Sequence, residues 1–322
     1  MQSWQTDLLN TYLSLSIKPT LRHVSSLRLI RCMISLVDST LGRLASPGKV
    51  TISTVVDPND HCELKWITPT ELAPENSRVI LYLPGGAYVM RTPQLHAALA
   101  SRICLEANAS ALICYYRLAP EHPFPAGLDD AIAAYELLLT QGHNAEDILI
   151  AGDSAGGGLA LALLLALRDS KRPTPGGAVL MSPLLDAGDE APSRVKNAKT
   201  DSALPHPARR AVNPRTLYVG DHDHKHPYIS PIYGTFEGLP PIYVLVSDAE
   251  MLLDDSLRLA RKAHMYQTDV RVDVWQKVPH VWVSMPFLPE SVDGIQRIGQ
   301  FIKEKLPCHI DNEEREASLA AG

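Results

Sequence analysis

Ser154 lies in the run Gly152-Asp153-Ser154-Ala155-Gly156, between an apolar stretch at 148–151 and another at 159–167. A serine with glycine two residues away on either side, at a strand-to-helix junction, has the makings of an exposed nucleophile. The near absence of side chain at those positions lets strand and helix approach, and the helix N-terminus favours developing negative charge. A glycine-rich turn in which Ser154 only caps the following helix is the bland alternative. Some seventy residues earlier the apolar run 79–83 leads into Pro84-Gly85-Gly86-Ala87-Tyr88. The N–H groups of Gly85 and Gly86, with that of Ala155, are the expected donors to a carbonyl oxygen turning into an oxyanion, although a plain β-turn would use the same glycines.

A serine nucleophile needs a base and a group that orients the base, and on this fold type they follow in the order serine, acid, histidine. His280, in Pro279-His280-Val281-Trp282, comes after the last strand candidate and is the expected base. Its ordinary pKa near 6.5 suits proton shuttling at neutral pH. The stretch 247–255 offers Asp248, Glu250, Asp254 and Asp255 just after an apolar run at 242–246. Asp153 is expected to bond to nearby backbone rather than to react.

With these motifs in order, the chain resembles the hormone-sensitive lipase family of α/β hydrolases. The family's serine stands in a GDSAGG setting, matched at 152–157, after a loop of HGGG type, matched at 84–87, and the run 116–126 (YRLAPEHPFPA) is similar to its structural segment between the two. The resemblance spans about 79–305. It departs at Pro84, where the family has histidine, so this loop, lacking one N–H and fixed in φ, is held differently. The family's acid heads a D-P-L-x-D pattern. Setting Leu252 and Asp254 on its Leu and second Asp puts Glu250 at the acid position, thirty residues before His280, with Asp248 as the alternative and Asp254 as a support of the loop. The resemblance implies a serine carboxylesterase acting through an acyl-enzyme on short-chain or small apolar esters, lactones included. Amide hydrolysis or acyl transfer by the same residues, and a non-catalytic ligand-binding role, are the alternatives.

The elements needed to carry these residues are legible. Apolar stretches at 79–83, 111–115, 148–151, 177–181, 242–246 and 270–275 alternate with helical periodicity at 94–107, 128–139, 159–167 and 291–305, which predicts an α/β-hydrolase fold with a mostly parallel central sheet flanked by helices and a helical cap. A hairpin is expected over 50–67, turning at 57–60. Two amphipathic helices separated by Pro19 are expected within 8–44. The division expected is cap helices at 1–45, a catalytic domain at 46–310 with a lid insertion at 186–238, and a frayed tail at 311–322. By resemblance the cap helices cover the acyl pocket, their apolar stripes lining it together with the insertion.

Composition excludes other classes. A net charge of −6 over 322 residues argues against nucleic acid. Five scattered cysteines (Cys32, Cys62, Cys104, Cys114 and Cys308) read as free thiols of a cytoplasmic protein, with neither a signal peptide nor an integral membrane segment expected. No cofactor and no metal are expected. The run 221–226 (DHDHKH) has ligand chemistry but is read as a solvated turn. The expected partner is a small-molecule ester, with a homodimer left open.

Overall fold

Five apolar runs, buried at every position, form the middle of one sheet: β3 (Val79–Leu83), β4 (Ser110–Tyr115), β5 (Ile148–Asp153), β6 (Gly177–Met181) and β7 (Ile242–Ser247). Strands buried on both faces need no polar alternation, which is why these sequences read as continuous apolar runs. The hairpin β1 (Val50–Val55) and β2 (Glu63–Pro69) and the half-exposed β8 (Val270–Trp275) close the edges, in the order β1-β2-β4-β3-β5-β6-β7-β8. β1–β2 and β2–β4 pair antiparallel, and every other pair is parallel. The computed structural model describes residues 2–57, 61–72, 77–188, 190–206 and 212–306. Asp57 opens the expected turn, its carboxylate accepting from His61 and Cys62 N–H at 2.7 and 2.9 Å, while 58–60 and the tail at 311–322 lie outside the described residues.

Side chains alternate across the sheet into two cores. Leu81 and Leu83 meet helices α5 (Ala126–Thr140), α6 (Ala155–Asp169) and α9 (Leu253–Met265) on one face. Ile80 and Tyr82 meet α4 (Pro93–Ala107) and α10 (Pro289–Lys305) on the other. α6, covered on all sides, is buried from Ala155 to Leu167.

The N-terminal region forms three helices rather than two: α1 (Trp4–Leu15), α2 (Ile17–His23) and α3 (Leu27–Ala45). The breaks fall at Ser16 and 24–26. Pro19 lies inside the first turn of α2, where a missing N–H leaves no helical bond unmade. Among its described residues the insertion contributes the short helices α7 (Ser193–Lys196) and α8 (Pro214–Val219) and a 3-10 turn at Pro231–Tyr233. Among the described residues no helix is long and apolar enough to cross a membrane.

Candidate active site

The C-terminal ends of β3, β5, β6, β7 and β8 deliver every group of the site, as expected for a parallel sheet whose loops meet at that edge. Ser154 is the single residue between β5 and α6, at φ 52° and ψ −120°, a strained conformation for a residue with a side chain. A Cβ on Gly156 would run into the carbonyls of Leu83 and Pro84, so only glycine allows this approach. The turn is held from the end of β6 and the segment after it: Ser154 N–H donates to Met181 O at 2.8 Å, and Leu184 N–H donates to Ser154 O at 2.9 Å. The Ser154 side chain makes no helix-capping bond. Instead Ser154 Oγ lies 2.9 Å from His280 Nε2.

His280 Nδ1 is 2.7 Å from Glu250 Oε2. Ser154, His280 and Glu250 thus form one hydrogen-bonded chain, and Asp248 is outside it. Asp248 points to solvent and accepts from Lys277 N–H at 2.7 Å. Glu250 is buried, and its second oxygen accepts from Ser182 Oγ at 2.7 Å and Ser247 N–H at 3.0 Å. Burial alone would lower the pKa of His280. The facing Glu250 carboxylate, by charge and hydrogen bond, outweighs that and raises it above the ordinary histidine value. Asp254 accepts from Ser193 N–H at 2.7 Å, supporting the loop. Ser182, which sequence reasoning missed, also accepts from Val281 N–H at 3.2 Å and so touches both the acid and the histidine loop. Its one local signal is its place at the end of β6.

The glycine loop requires a correction. Gly85, expected to offer its N–H to an oxyanion, donates it to Asp153 Oδ1 at 3.0 Å, and the same oxygen accepts from Tyr82 Oη at 2.6 Å. Burial would raise the pKa of Asp153, but His96, Tyr82 and the Gly85 N–H hold it below the usual carboxylate value, so the anchor is ionised. Among the described residues the N–H groups of Gly86, Ala87 and Ala155 have no hydrogen-bond partner. Ala87 lines the cavity that contains Ser154. Gly86 has φ 123°, and Ala87 and Tyr88 follow at φ 53° and 63°. Val89 and Met90 N–H close the turn on Gly86 O, and Tyr116 Oη donates to Pro84 O at 2.7 Å. The histidine of the family loop is thus replaced by a proline whose carbonyl is pinned from the 116–126 segment.

The cavity is small, about 80 Å³, and is bounded by Tyr88, Leu184, Leu204, Tyr218, Met251 and Leu252, with Arg194 behind. Tyr88 and Tyr218 stack at 3.6 Å, nearly coplanar. Buried Arg194 meets buried Asp255 at 3.0 Å. Among the described residues none before Ala87 lines this cavity, so the described apolar stripes of the N-terminal helices do not face it as expected. In the 221–226 run, the rings of His222 and His226 pack against Phe124 at 5.1 and 5.5 Å, and Asp223 accepts from Lys225 N–H at 2.9 Å.

Residues 80–284 match the family model described as alpha/beta hydrolase fold. The chain is 39% identical over 244 residues to an acetyl-hydrolase of Streptomyces hygroscopicus, an alignment covering 76% of this chain and 80% of that one. It is 32% identical over 300 residues to the carboxylesterase/phospholipase LipF of Mycobacterium tuberculosis, covering 90% and 79%. Among solved structures it is similar to an esterase of the bacterial hormone-sensitive lipase family, with TM-score 0.86 and 32% identity over 95% of this chain and 99% of that one. The esterase EstE5, soaked with p-nitrophenyl butyrate, gives TM-score 0.86 and 33% identity over 94% and 99%.

Proposed function

Since the chain belongs to the α/β hydrolases, in their hormone-sensitive lipase family, and is a carboxylic ester hydrolase, we propose that it cleaves small, short-chain esters through an acyl-enzyme on Ser154. The hydrogen-bonded chain Ser154–His280–Glu250 carries this reading. Ser154 Oγ adds to the ester carbonyl carbon as its proton passes to His280 Nε2. Glu250, on Nδ1, holds the imidazole in the tautomer that can accept that proton and stabilises the imidazolium that results. The oxyanion faces the N–H groups of Gly86, Ala87 and Ala155. Collapse breaks the C–O bond, and the alcohol leaves with the proton from Nε2. Water, deprotonated by the same nitrogen, then attacks the acyl-serine and regenerates the hydroxyl.

The small cavity supports short acyl groups. At roughly 10–15 Å³ for each water-sized group, it takes about five to eight of them. Lactones of similar size meet the same constraint. A cytoplasmic setting belongs to this reading, and the free thiols of Cys32, Cys62, Cys104 and Cys114 support it.

Hydrolysis of chromogenic esters of graded acyl length by the wild type and by Ser154→Ala tests it. The expected result is a preference for short chains and a loss of about 10⁶ in turnover in the variant. Equal activity of the two proteins would remove Ser154 as nucleophile, and a preference for long chains would remove the assignment of the cavity.

A further inference from the structure

α1 leaves an apolar stripe in water. The side that faces the protein is mixed: Leu9 packs against the core, Asn10 donates to Lys277 O at 2.8 Å and accepts from Ser202 at 2.7 Å, and Thr6, the one buried residue of the helix, donates to Glu290 at 3.0 Å. Its apolar side, Trp4, Leu8, Tyr12 and Leu15, faces solvent with each residue 57% to 76% exposed. Spacings of four, four and three put these residues on one stripe. A surface helix ordinarily keeps such a stripe against the core. α3 adds Leu29, Met33 and Leu36, also exposed and at helical spacing.

α1 itself carries exposed Asp7, but the surface beyond its end is basic. Between Asp7 and Asp38 the sequence has no carboxylate but has Lys18, Arg22, Arg28 and Arg31, the last paired with Glu121 at 2.6 Å, within a chain of net charge −6. Beyond the end of α1, a groove lies between α2 and the 195–206 segment, lined by Lys18, Arg22, His23 and Lys199 with Val195, and no Asp or Glu is among its described lining residues. Ser14, next to exposed Leu15, lines the same groove.

We propose that the α1 stripe and this basic groove dock the protein on the surface of an anionic phospholipid bilayer, with the stripe at the level of the acyl chains and the groove on the headgroups. Trp4 and Tyr12 suit the boundary between water and lipid, and cations without carboxylates suit an anionic surface. A second copy suits this face less well, because a twofold contact would set the same cations against one another.

The test is co-sedimentation of the full chain with phosphatidylglycerol or phosphatidylcholine vesicles. It compares the wild type with Leu8→Glu/Leu15→Glu and with Arg22→Glu/Lys199→Glu, using hydrolysis of a water-soluble short ester to show that each variant is folded. Binding to phosphatidylglycerol about tenfold or more above phosphatidylcholine is expected, weakened about tenfold or more by each double substitution with soluble-ester hydrolysis unchanged. Added salt should release the wild type in part, a measurement that needs no variant. Absence of binding to phosphatidylglycerol, equal binding to both lipids, or binding insensitive to both substitutions and salt would overturn the proposal. So would a dimer that Leu8→Glu/Leu15→Glu dissociates while the vesicles stay bare.

Discussion

Ser182 Oγ donates to Glu250 Oε1 at 2.7 Å, so the carboxylate facing His280 is oriented from the neighbouring strand end as well as by its own loop. The same hydroxyl accepts from Val281 N–H, next to His280 in sequence. Ser182→Ala removes both contacts without touching substrate. Turnover is expected to fall about 10–100-fold with KM little changed, the size of loss seen when an orienting hydrogen bond is taken from a working group. Steady-state kinetics check it, and Ser182→Thr, which keeps a hydroxyl, should recover part of the loss. A rise in KM alone would mean that Ser182 acts on substrate binding instead.

Glu250→Gln keeps the shape of the acid but cannot hold the imidazole in the required tautomer. It is expected to lower turnover by about 10⁴, whereas Asp248→Asn, on a solvent-facing carboxylate bonded to Lys277 N–H, should change it little. Measuring both on one ester decides between the two acids, and the opposite ranking would reassign the role to Asp248.

Asp153→Ala leaves the Gly85 N–H and the Tyr82 hydroxyl without their acceptor in a buried place. The expected cost is about 2–3 kcal/mol in urea unfolding, together with a loss of turnover as the glycine loop loosens. An unchanged midpoint would show that the loop does not depend on this anchor.

His280 acts as a base only when neutral, and its pKa is raised by Glu250. As pH falls, the rate constant kcat/KM should therefore decline through an inflection lying above the ordinary histidine value of about 6.5. In Glu250→Gln that inflection should move down, because the largest of the charges that oppose burial is then gone. A wild-type inflection well below 6.5 would contradict the pairing.

The sequence was most readable where one local pattern had one structural outcome. Ser154 stood out because strand, glycine, serine, glycine and helix leave the chain a single tight turn to make. Residue types alone narrow the acid only to a short stretch, and it is the family's pattern that points to Glu250, with Asp248 as the alternative. Which carboxylate curls inward depends on where β7 ends, and there Asp248 turns to water while Glu250 folds back under His280. The glycine loop misled for a similar reason. Two glycines announce a backbone free to turn but not where each N–H points, and the acceptor that claims Gly85 sits 68 residues away on Asp153. Ala87, with no distinctive side chain, gave no signal. In the N-terminal helices, apolar spacing revealed the stripes but not their partner: none of their described residues lines the cavity, and Asn10 and Thr6 bond α1 to Lys277 and Glu290 instead.

The strained turn at Ser154 is stitched on both sides to the end of β6 and the segment that follows it, through Met181 O and Leu184 N–H. It cannot relax unless the middle of the sheet comes apart. Heat or denaturant should therefore take away the reactive geometry and the folded core in one step, without a preceding stage in which a folded protein has lost its nucleophile. For this protein, a residual-activity curve should double as a thermometer of the sheet itself.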